Sequence, residues 1–491
     1  MKVQPRAQII SAIICIAILS ATAYMLGKNL TVDRMLKYDE YYTLERSVGF
    51  EKFDDWLSVY SRNAKTAKKP PLQYWLTGLS IKLGMDNLRA LRIWSVVFYI
   101  GLLATAGWLA ARVSRNVWSA PAAMLFLLSS PLLLSLARSG MLDIGMSFFL
   151  VLALLFFFEA LNKPKLWFAC AIAIGLGALQ KAPIAILMLA IVILSQHLTS
   201  NSAFAWKNLK RQPFFKNGLI SAIGLVLAWP LIQTFNYGSR YFKEAYQKEM
   251  FRRFKPSGDE WGKEDGPWVW LDWLWSDWGY LAIIALTAIV LVFAIPRFRR
   301  DFWLIGLASC VAVILISFSF AKGSIYMRYL AVVLPMISII LCAVLSNFER
   351  ARFLPALLAS AFLIASWPNL TRVYSDNFDG GATKYNHDKV ESYIVAIDGV
   401  LEAHDHLIID RTLVPAGAYG YFGKTTQEAL VLKLSRDSHA KEFKKRVSAF
   451  SEDTANLYGL IATDNIHTLQ ATGKPYVIVK DLGDVKVWKL L

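Results

Sequence analysis

Two groups of carboxylates stand at positions where they could act on a reacting hydroxyl group. Asp39 and Glu40 lie in the stretch YDEYYTLERS, which follows the first apolar segment, and Asp143 lies in ARSGMLDIGMSFFL, at the start of a later one. Such a carboxylate can accept a proton from an attacking hydroxyl or orient it. Charged residues at the edge of a membrane segment are costly, and they therefore mark a candidate site.

Basic side chains that accompany these acids could stabilise a departing phosphate. Lys68 and Lys69 precede two prolines in AKKPPLQYWL, and the prolines stiffen the chain at that point. Further cations occur at Lys181 in GLGALQKAPIAIL and at Lys322 and Arg328 in SFAKGSIYMRYLAVVLP. Lysine is a good point-charge partner for phosphate. A well-placed electrostatic group of this kind stabilises a transition state by about 3 kcal/mol.

Several of these residues also have a simpler structural interpretation. Tyr74 and Trp75 are typical aromatic anchors of a basic turn at the membrane interface. Arg138 could form a structural ion pair with Asp143 at the membrane edge. Lys181 could simply extend its ammonium group to the interface.

A tryptophan-rich loop in the middle of the chain adds two arginines to the candidates. Residues 243–280 combine aromatic and charged side chains in a pattern that suits an amphipathic segment lying in the membrane interface. Arg252 and Arg253 could bind a lipid phosphate there or only contact headgroups.

Long apolar segments must position all of these residues. Of the 491 residues, 56% are hydrophobic and only 18% are charged, a balance typical of membrane proteins. A segment of about 20 apolar residues is needed to cross the hydrocarbon core of a bilayer. The sequence predicts a mainly α, polytopic membrane protein with about eleven such spans, centred on residues 8–26, 91–111, 117–137, 142–161, 166–180, 182–198, 217–235, 279–296, 302–320, 326–346 and 353–368.

The distribution of positive charge predicts the orientation of these spans. The net charge of +17 could indicate nucleic-acid binding, but lysines and arginines gather in alternate short loops, as the positive-inside rule describes. Anionic lipids account for the remainder, so no nucleic-acid partner is expected. We interpret the first segment as a retained helix and not a cleaved signal peptide, with a cytoplasmic N-terminus. Residues 27–90, 236–278 and everything after residue 369 then face outward.

Cofactor and metal sites have little support in the sequence. The cysteines (Cys15, Cys170, Cys310 and Cys342) all lie in predicted spans and suit apolar positions better than a disulfide framework. His197 is the only histidine of the membrane region, which excludes a cluster of histidine ligands there. No nucleotide-phosphate loop or hydrolase elbow is evident. We expect no cofactor and no metal ligand, and a requirement for a divalent metal stays open.

The last part of the chain differs in composition from the rest. Residues 369–491 contain short β-type runs, HLIID, PYVIVK and VKVWKL, and a helical stretch, SHAKEFKKRVSAF. This pattern predicts a small extracytoplasmic α/β domain that follows a membrane domain over residues 1–368.

The order of the motifs resembles that of a known family of membrane enzymes. The resemblance rests on YDEYYTLERS, KKPPLQYWL, SGMLDIGMSFFLV, LQKAPIAIL, YQKEMFRRF and FAKGSIYMRYL, which are distributed from residue 38 to residue 330. They look like the motifs of the GT-C membrane glycosyltransferases that use polyprenyl-phosphate sugars, in the superfamily of the lipid A aminoarabinose transferase and the protein mannosyltransferases. The resemblance implies the GT-C fold.

The resemblance also implies a role for each candidate residue. The expected site comprises catalytic Asp39, Asp143 and Glu40, phosphate-binding Lys69, Arg253, Lys322 and Lys181, and the pocket residues Tyr42, Arg138 and Tyr329. Two departures from the family pattern bear on the sugar and the acceptor. Lys68 stands where close relatives often carry an acid, and Gln180, Lys181 and Ala182 replace the usual Thr-Lys-Gly.

The implied activity is inverting transfer of a hexose or pentose from a polyprenyl (undecaprenyl) phosphate carrier. The acceptor would be lipid A, another glycan or a protein, and the active site would lie on the periplasmic face of the bacterial inner membrane. Two other classes stay open. A transporter or flippase of a lipid-linked sugar should show inverted repeats, which are not evident here. A polysaccharide ligase or polymerase would use a diphosphate-linked donor.

Overall fold

The computed structural model describes most of the chain. It covers residues 5–31, 34–35, 38–61, 64–181, 183–195, 206–248, 266–320, 325–347, 352–378, 385–402, 405–410, 412–414, 416–422, 429–432, 434, 437–450 and 456–491. Arg253 and Lys322, two of the predicted phosphate ligands, lie outside the described residues.

The described chain is mainly helical. Its α-helices are α1 (Pro5–Gly27), α2 (Tyr38–Lys52), α3 (Leu72–Lys82), α4 (Asn87–Ser114), α5 (Ser119–Leu128), α6 (Pro131–Ala137), α7 (Asp143–Ala160), α8 (Leu166–Gln180), α9 (Ile184–Ser195), α10 (Trp206–Leu209), α11 (Phe215–Tyr237), α12 (Arg240–Phe242), α13 (Val269–Trp278), α14 (Tyr280–Ala294), α15 (Pro296–Arg299), α16 (Phe302–Ser319), α17 (Leu334–Leu345), α18 (Leu354–Phe378), α19 (His387–Asp398), α20 (Ala416–Phe422), α21 (Asp437–Ser448) and α22 (Ile466–Gln470). A π-helical turn covers Lys243–Lys248, and 3₁₀ helices cover Met327–Val332 and Thr463–Asn465.

The strands of the described residues form one larger sheet and two strand pairs. They are β1 (Arg34–Met35), β2 (Val59–Ser61), β3 (Ala64–Thr66), β4 (Tyr385–Asn386), β5 (His406–Asp410), β6 (Ala429–Leu432), β7 (Leu457–Ala462), β8 (Tyr476–Asp481) and β9 (Val485–Leu490). The larger sheet has the order β6-β5-β7-β9-β8, with β5 parallel to β6 and β7, and with β9 antiparallel to β7 and β8. β1 pairs with β4 and β2 with β3, both antiparallel.

Contacts between residues divide the chain into two compact units. The helical unit comprises Met1–Leu30, Ala67–Leu72 and Arg92–Phe378, and the α/β unit comprises Thr31–Thr66, Gln73–Leu91 and Asp379–Leu491. The α/β unit therefore contains most of the predicted outer loop 27–90 together with the C-terminal residues.

Apolar helices dominate the helical unit. In the described residues, α1, α4, α7, α11, α16 and α18 are long and apolar enough to span a membrane, and α5 and α6 together form a further candidate that bends by 81°. α8, α9, α14 and α17 are apolar but only 10 to 17 residues long. Each apolar segment identified in the sequence overlaps one of these helices, or, for 117–137, the pair α5 and α6. The mainly helical fold with several apolar helices is therefore confirmed.

The predicted span 117–137 is not one straight helix. α5 ends at Leu128 and α6 begins at Pro131, with Ser130 as its N-cap residue. The Ser130 hydroxyl accepts a hydrogen bond from the backbone N–H of Leu133 at 3.1 Å. Proline suits the first position of a helix because the N–H it lacks would have no partner there. The helix axis therefore changes direction at Ser130 and Pro131.

Two hydrophobic clusters form the core of the α/β unit. Tyr41 and Leu44 of α2 belong to the first, together with buried residues of α19, α20 and β5. Trp488 of β9 and Phe443 of α21 belong to the second, with their ring centroids 5.9 Å apart. Gly459 of β7 lies against the indole, where any Cβ atom would collide with it. α2, which carries Asp39 and Glu40, is therefore an integral part of a folded core.

Candidate functional site

A buried ion pair joins the start of α7 to the end of α8. Asp143 is the first residue of α7, and Lys181 directly follows the last residue of α8. A short turn over residues 161–165 makes the two helices adjacent and antiparallel, so these ends meet. Lys181 Nζ lies 2.5 Å from Asp143 Oδ1, and the two side chains are only 16% and 3% exposed. The carboxylate therefore holds the ammonium group at a defined position.

A glycine permits the close approach of α7 and α8 beside this pair. A Cβ atom on Gly145 would collide with the side-chain amide of Gln180 and would lie 2.8 Å from the Phe98 ring. The Gln180 amide donates a hydrogen bond to the carbonyl of Leu142 at 3.3 Å. Leu142 directly precedes Asp143 and Gln180 directly precedes Lys181, so this hydrogen bond fixes the chain beside both members of the ion pair.

Aromatic rings pack against the cations of this region. Lys181 Nζ lies 5.2 Å from the ring centroid of Tyr329, which sits on the 3₁₀ helix Met327–Val332. The Arg328 guanidinium lies 4.7 Å from the ring centroid of Tyr326 and 5.9 Å from that of Tyr329. Contacts of this kind attract a cation to the face of the ring and orient it.

Two further cations lie near the ion pair of Asp143 and Lys181. Lys69 and Arg328 both lie close enough to act electrostatically on Lys181, which Asp143 also contacts. Lys69 is half-buried and follows the exposed Lys68. The ammonium groups of Lys69 and Lys181 and the guanidinium of Arg328 therefore lie near one another. Such a group suits an anion more than a neutral ligand.

A cavity of about 340 Å³ contains part of this charged group, and we call it the first cavity. Lys68, Lys69, Lys181 and Tyr329 line it on one side, and apolar side chains from α7, α8, α9, α11 and α16 form most of the remaining wall. Among the apolar residues are Met146, Leu187, Trp229 and Ile314. A cavity with cations at one part and an apolar wall elsewhere fits a ligand that is both anionic and lipid-like.

The acids of the first predicted motif lie on α2 in the α/β unit. The side chain of Asp39 is half-buried, and its backbone carbonyl accepts a hydrogen bond from Thr43 Oγ1 at 3.2 Å. Glu40 is fully buried. Of the two carboxylates, Asp39 is therefore the one accessible to a ligand.

An arginine stabilises the next turn of α2. Arg46 donates a hydrogen bond to the hydroxyl of Tyr74 at 2.7 Å, and its guanidinium lies 5.0 Å from the ring centroid of Tyr42. Burial disfavours its charge, but Tyr74, Glu45 and Tyr42 outweigh this effect and raise the pKa of Arg46. Tyr42, predicted as a pocket residue, is therefore part of this cation–π contact within the α/β unit.

The structure brings together some of the predicted site residues. Lys69, Lys181 and Tyr329 line the first cavity, and Asp143 contacts Lys181. Arg138 is buried and donates to the carbonyl of Asn29 at 2.5 Å, and it is not among the described residues that line the cavity. The predicted site omitted Arg328, Gly145 and Gln180. The sequence offered one indication of a role for Arg328, because this residue lies in the same motif as Tyr329.

The described residues contain no group of three or more histidine, cysteine, aspartate or glutamate side chains that could hold a metal ion.

Comparisons with known proteins bear on this arrangement. A model of the dolichyl-phosphate-mannose-protein mannosyltransferase family matches residues 68–232, a segment that includes Lys69, Asp143 and Lys181. The crystal structure of ArnT from Cupriavidus metallidurans bound to undecaprenyl phosphate superimposes with a TM-score of 0.68 over 96% of this chain and 97% of ArnT, at 14% identity. This chain resembles the GT-C glycosyltransferases of the aminoarabinose transferase and mannosyltransferase superfamily.

Two further comparisons agree with the GT-C likeness. The archaeal oligosaccharyltransferase AglB from Archaeoglobus fulgidus matches with a TM-score of 0.58 over 96% of this chain and 74% of AglB, at 12% identity. Two undecaprenyl phosphate-alpha-4-amino-4-deoxy-L-arabinose arabinosyl transferases of Pseudomonas aeruginosa are 24% identical over 295 residues, 57% of this chain. That match spans 50% of the length of these curated relatives. At such identities, the solved structures show a shared fold.

Proposed function

We propose that this protein is an inverting glycosyltransferase that takes its sugar from a polyprenyl phosphate carrier. The first cavity carries this proposal, because it joins Lys69 and Lys181 to an apolar wall. A polyprenyl phosphate has the same two parts, an anionic head and a hydrocarbon tail. The resemblance to GT-C enzymes supports the same class of donor.

In the proposed reaction, an oxygen of the acceptor attacks the anomeric carbon of the sugar. The bond from that carbon to the phosphate oxygen breaks, and the polyprenyl phosphate leaves with the bonding electron pair. Direct displacement inverts the anomeric configuration. Lys69, Lys181 and Arg328 stabilise the negative charge of the leaving phosphate. We assign Arg253 and Lys322 to the same group from their sequence motifs alone.

The carboxylates take different roles in this proposal. Asp39 accepts the proton of an attacking hydroxyl or orients that hydroxyl, since it is more accessible than Glu40. Asp143 positions Lys181 through their ion pair. Removal of Asp143 would therefore act through the phosphate site and not through proton transfer.

The proposed setting is the periplasmic face of the bacterial inner membrane. About eleven membrane spans within residues 1–368 would present the site there, with residues 369–491 as an extracytoplasmic domain. Lipid A, another glycan and a protein are the candidate acceptors, and the sugar is a hexose or a pentose.

A transfer assay in detergent tests the proposal. It would offer a panel of undecaprenyl-phosphate sugars and candidate acceptors and follow released undecaprenyl phosphate by mass spectrometry. We expect transfer by the wild type, with at least a hundredfold loss in Lys69→Ala and Asp39→Asn, since single electrostatic or acid–base groups contribute factors of about 10² to 10⁴. Lys165→Ala, an exposed lysine at the opposite end of α8, should keep full activity.

Two outcomes would contradict the proposal. If no donor is consumed while the variants change the movement of lipid-linked sugars across vesicles, the protein is a transporter. If only diphosphate-linked donors are consumed, the protein is a ligase or polymerase.

A further inference from the structure

Helices α8, α9 and α11 also line a second cavity, of about 210 Å³. Its wall includes Trp167, Cys170, Ala171, Ile174, Ala222 and Ile223, and none of its described lining residues carries a charge. Water gains few hydrogen bonds in such a space, whereas a hydrocarbon chain buries apolar surface there.

The second cavity follows the first along the same helices. On α8, Ala178 lines the first cavity and Ile174 the second, and on α11 Val226 lines the first and Ile223 the second. Each pair is about one helical turn apart, or roughly 4.5 to 6 Å along the axis. On α9, the residues that line the first cavity lie towards the start of the helix, and most of those that line the second lie further along it. The two cavities therefore lie one after the other along these helices.

Small residues keep α8 and α11 close beside the second cavity. A Cβ atom on Gly175 would come within 2.6 Å of the Leu225 side chain, and one on Gly218 within 2.8 Å of Trp167. The cavity nevertheless lies near the apolar surface, because its lining residues Ile186 and Ile223 are 40% and 47% exposed. A hydrocarbon chain can therefore reach it without leaving an apolar environment.

The geometry points to the second cavity as the binding site for distal isoprene units of the carrier lipid. This inference rests on the proposed function, which places the carrier phosphate at Lys69 and Lys181. Lys181, which caps α8, is ten positions from Ala171, and this corresponds to roughly 15 Å along the helix axis. Isoprene units next to the phosphate lie in the first cavity, and only a longer chain extends into the second. The second cavity therefore selects carriers by length.

Binding of bare carrier phosphates to the full chain in detergent tests this inference. Native mass spectrometry would compare undecaprenyl phosphate, a long carrier, with neryl phosphate, which has two isoprene units. Ala222→Phe fills the second cavity, and Ile220→Phe places the same ring on the same helix at a position that is 70% exposed. We expect Ala222→Phe to weaken undecaprenyl phosphate binding about tenfold or more, through loss of buried methylene groups. Neryl phosphate binding should not change, and Ile220→Phe should affect neither carrier.

The remaining outcomes separate this inference from the proposed function. Equal weakening of both carriers, or no weakening of either, would overturn the role of the second cavity and leave the proposed function standing. Failure of the wild type to bind either carrier would overturn the proposed function and the inference with it.

A measurement on the unaltered chain covers the case in which Ala222→Phe does not fold. Undecaprenyl phosphate with a photoreactive diazirine in its distal half would be cross-linked to the wild type and the modified peptides mapped. We expect cross-links in residues 167–174 and 218–223. Cross-links confined to the exposed faces of α1 and α18 would show that the tail lies in bulk lipid, and they would refute the inference.

Discussion

Asp277 accepts a hydrogen bond of 2.6 Å from the hydroxyl of Ser130, at the break between α5 and α6. Its other carboxylate oxygen accepts one of 2.8 Å from the backbone N–H of Leu132. The first N–H groups of a helix have no partner inside the helix, and here a buried carboxylate supplies one. α13, which carries Asp277, also contacts the 3₁₀ helix of Tyr329. Asp277 therefore stabilises the bend between α5 and α6, and α6 precedes Asp143 at the start of α7.

Substitution of Asp277 should destabilise the helical unit. In Asp277→Ala, the Ser130 hydroxyl and the Leu132 N–H lose a buried acceptor, and we expect a loss of about 2 kcal/mol or more in the free energy of unfolding. Thermal melts in detergent, followed by tryptophan fluorescence, would show a lower Tm. Asp272→Ala removes an exposed carboxylate from the same helix and is the control. Equal melting temperatures for the two variants would contradict this role of Asp277.

Substitutions of Asp143 and Lys181 should have strongly coupled effects on the free energy of unfolding. Removal of either partner takes away the direct contact that compensates the buried charge of the other, which costs about 3 to 5 kcal/mol. Asp143→Asn and Lys181→Met should therefore each lower the Tm, and the double variant should be more stable than the sum of the two effects predicts. Additive effects in this double-mutant cycle would show that the pair contributes nothing.

The same double variant separates structure from ligand binding. Because it folds but lacks the Lys181 cation, it should bind undecaprenyl phosphate more weakly than the wild type. Unchanged binding by a folded double variant would remove Lys181 from the proposed phosphate site.

Gly145 should tolerate no side chain. In Gly145→Ala, the new methyl group meets the Gln180 amide and the Phe98 ring, and such overpacking costs about 1 to 3 kcal/mol. Gly224→Ala on α11 is the matched control, because its Cβ has no neighbour within 4 Å and alanine favours a helix. We expect a lower Tm for the first variant and an equal or higher Tm for the second. The reverse order would show that α7 and α8 do not pack as described.

The sequence predicts the apolar helices well but not their interruptions. α8 covers the predicted segment 166–180 because a continuous apolar run ends there at a charged residue. The predicted span 117–137 bends because Ser130 and Pro131 stop one helix and start another. A hydropathy average over the whole segment hides this, since two polar or ring-constrained residues hardly change it.

The partners within the site depend on packing that spacing alone does not reveal. In the sequence, Arg138 is the nearest cation to Asp143, only five residues away. In the structure, Lys181 pairs with Asp143 because the short turn after α7 returns α8 beside it. The resemblance to a family identified Lys181 as a site residue, but only the antiparallel packing of two helices shows what holds it.

A second carboxylate network lies in the α/β unit, next to the β2–β3 hairpin. Asp55 accepts hydrogen bonds from Lys65 Nζ at 3.0 Å, from the Tyr60 hydroxyl at 3.1 Å and from the backbone N–H of Leu57 at 3.0 Å. Burial alone would raise the pKa of Asp55, but these donors and Ser58 together lower it to about 2. The side chain is 25% exposed, so solvent weakens part of the effect.

This depressed pKa predicts how the stability of the hairpin depends on pH. An unfolded aspartate has a pKa of about 3.9, so the contribution of Asp55 is fully present above that pH and is lost as the pH falls towards about 2. After allowance for its exposure, we expect about 1 kcal/mol at pH 7. Hydrogen–deuterium exchange in residues 55–66 should be faster in Asp55→Asn than in the wild type at pH 7, and the difference should shrink below pH ~3. Asp54→Asn, at an adjacent exposed position whose positive φ suits asparagine, is the control. A difference between Asp55→Asn and the wild type that stays constant from pH 7 to pH ~2 would show that the charge of Asp55 does not stabilise the hairpin.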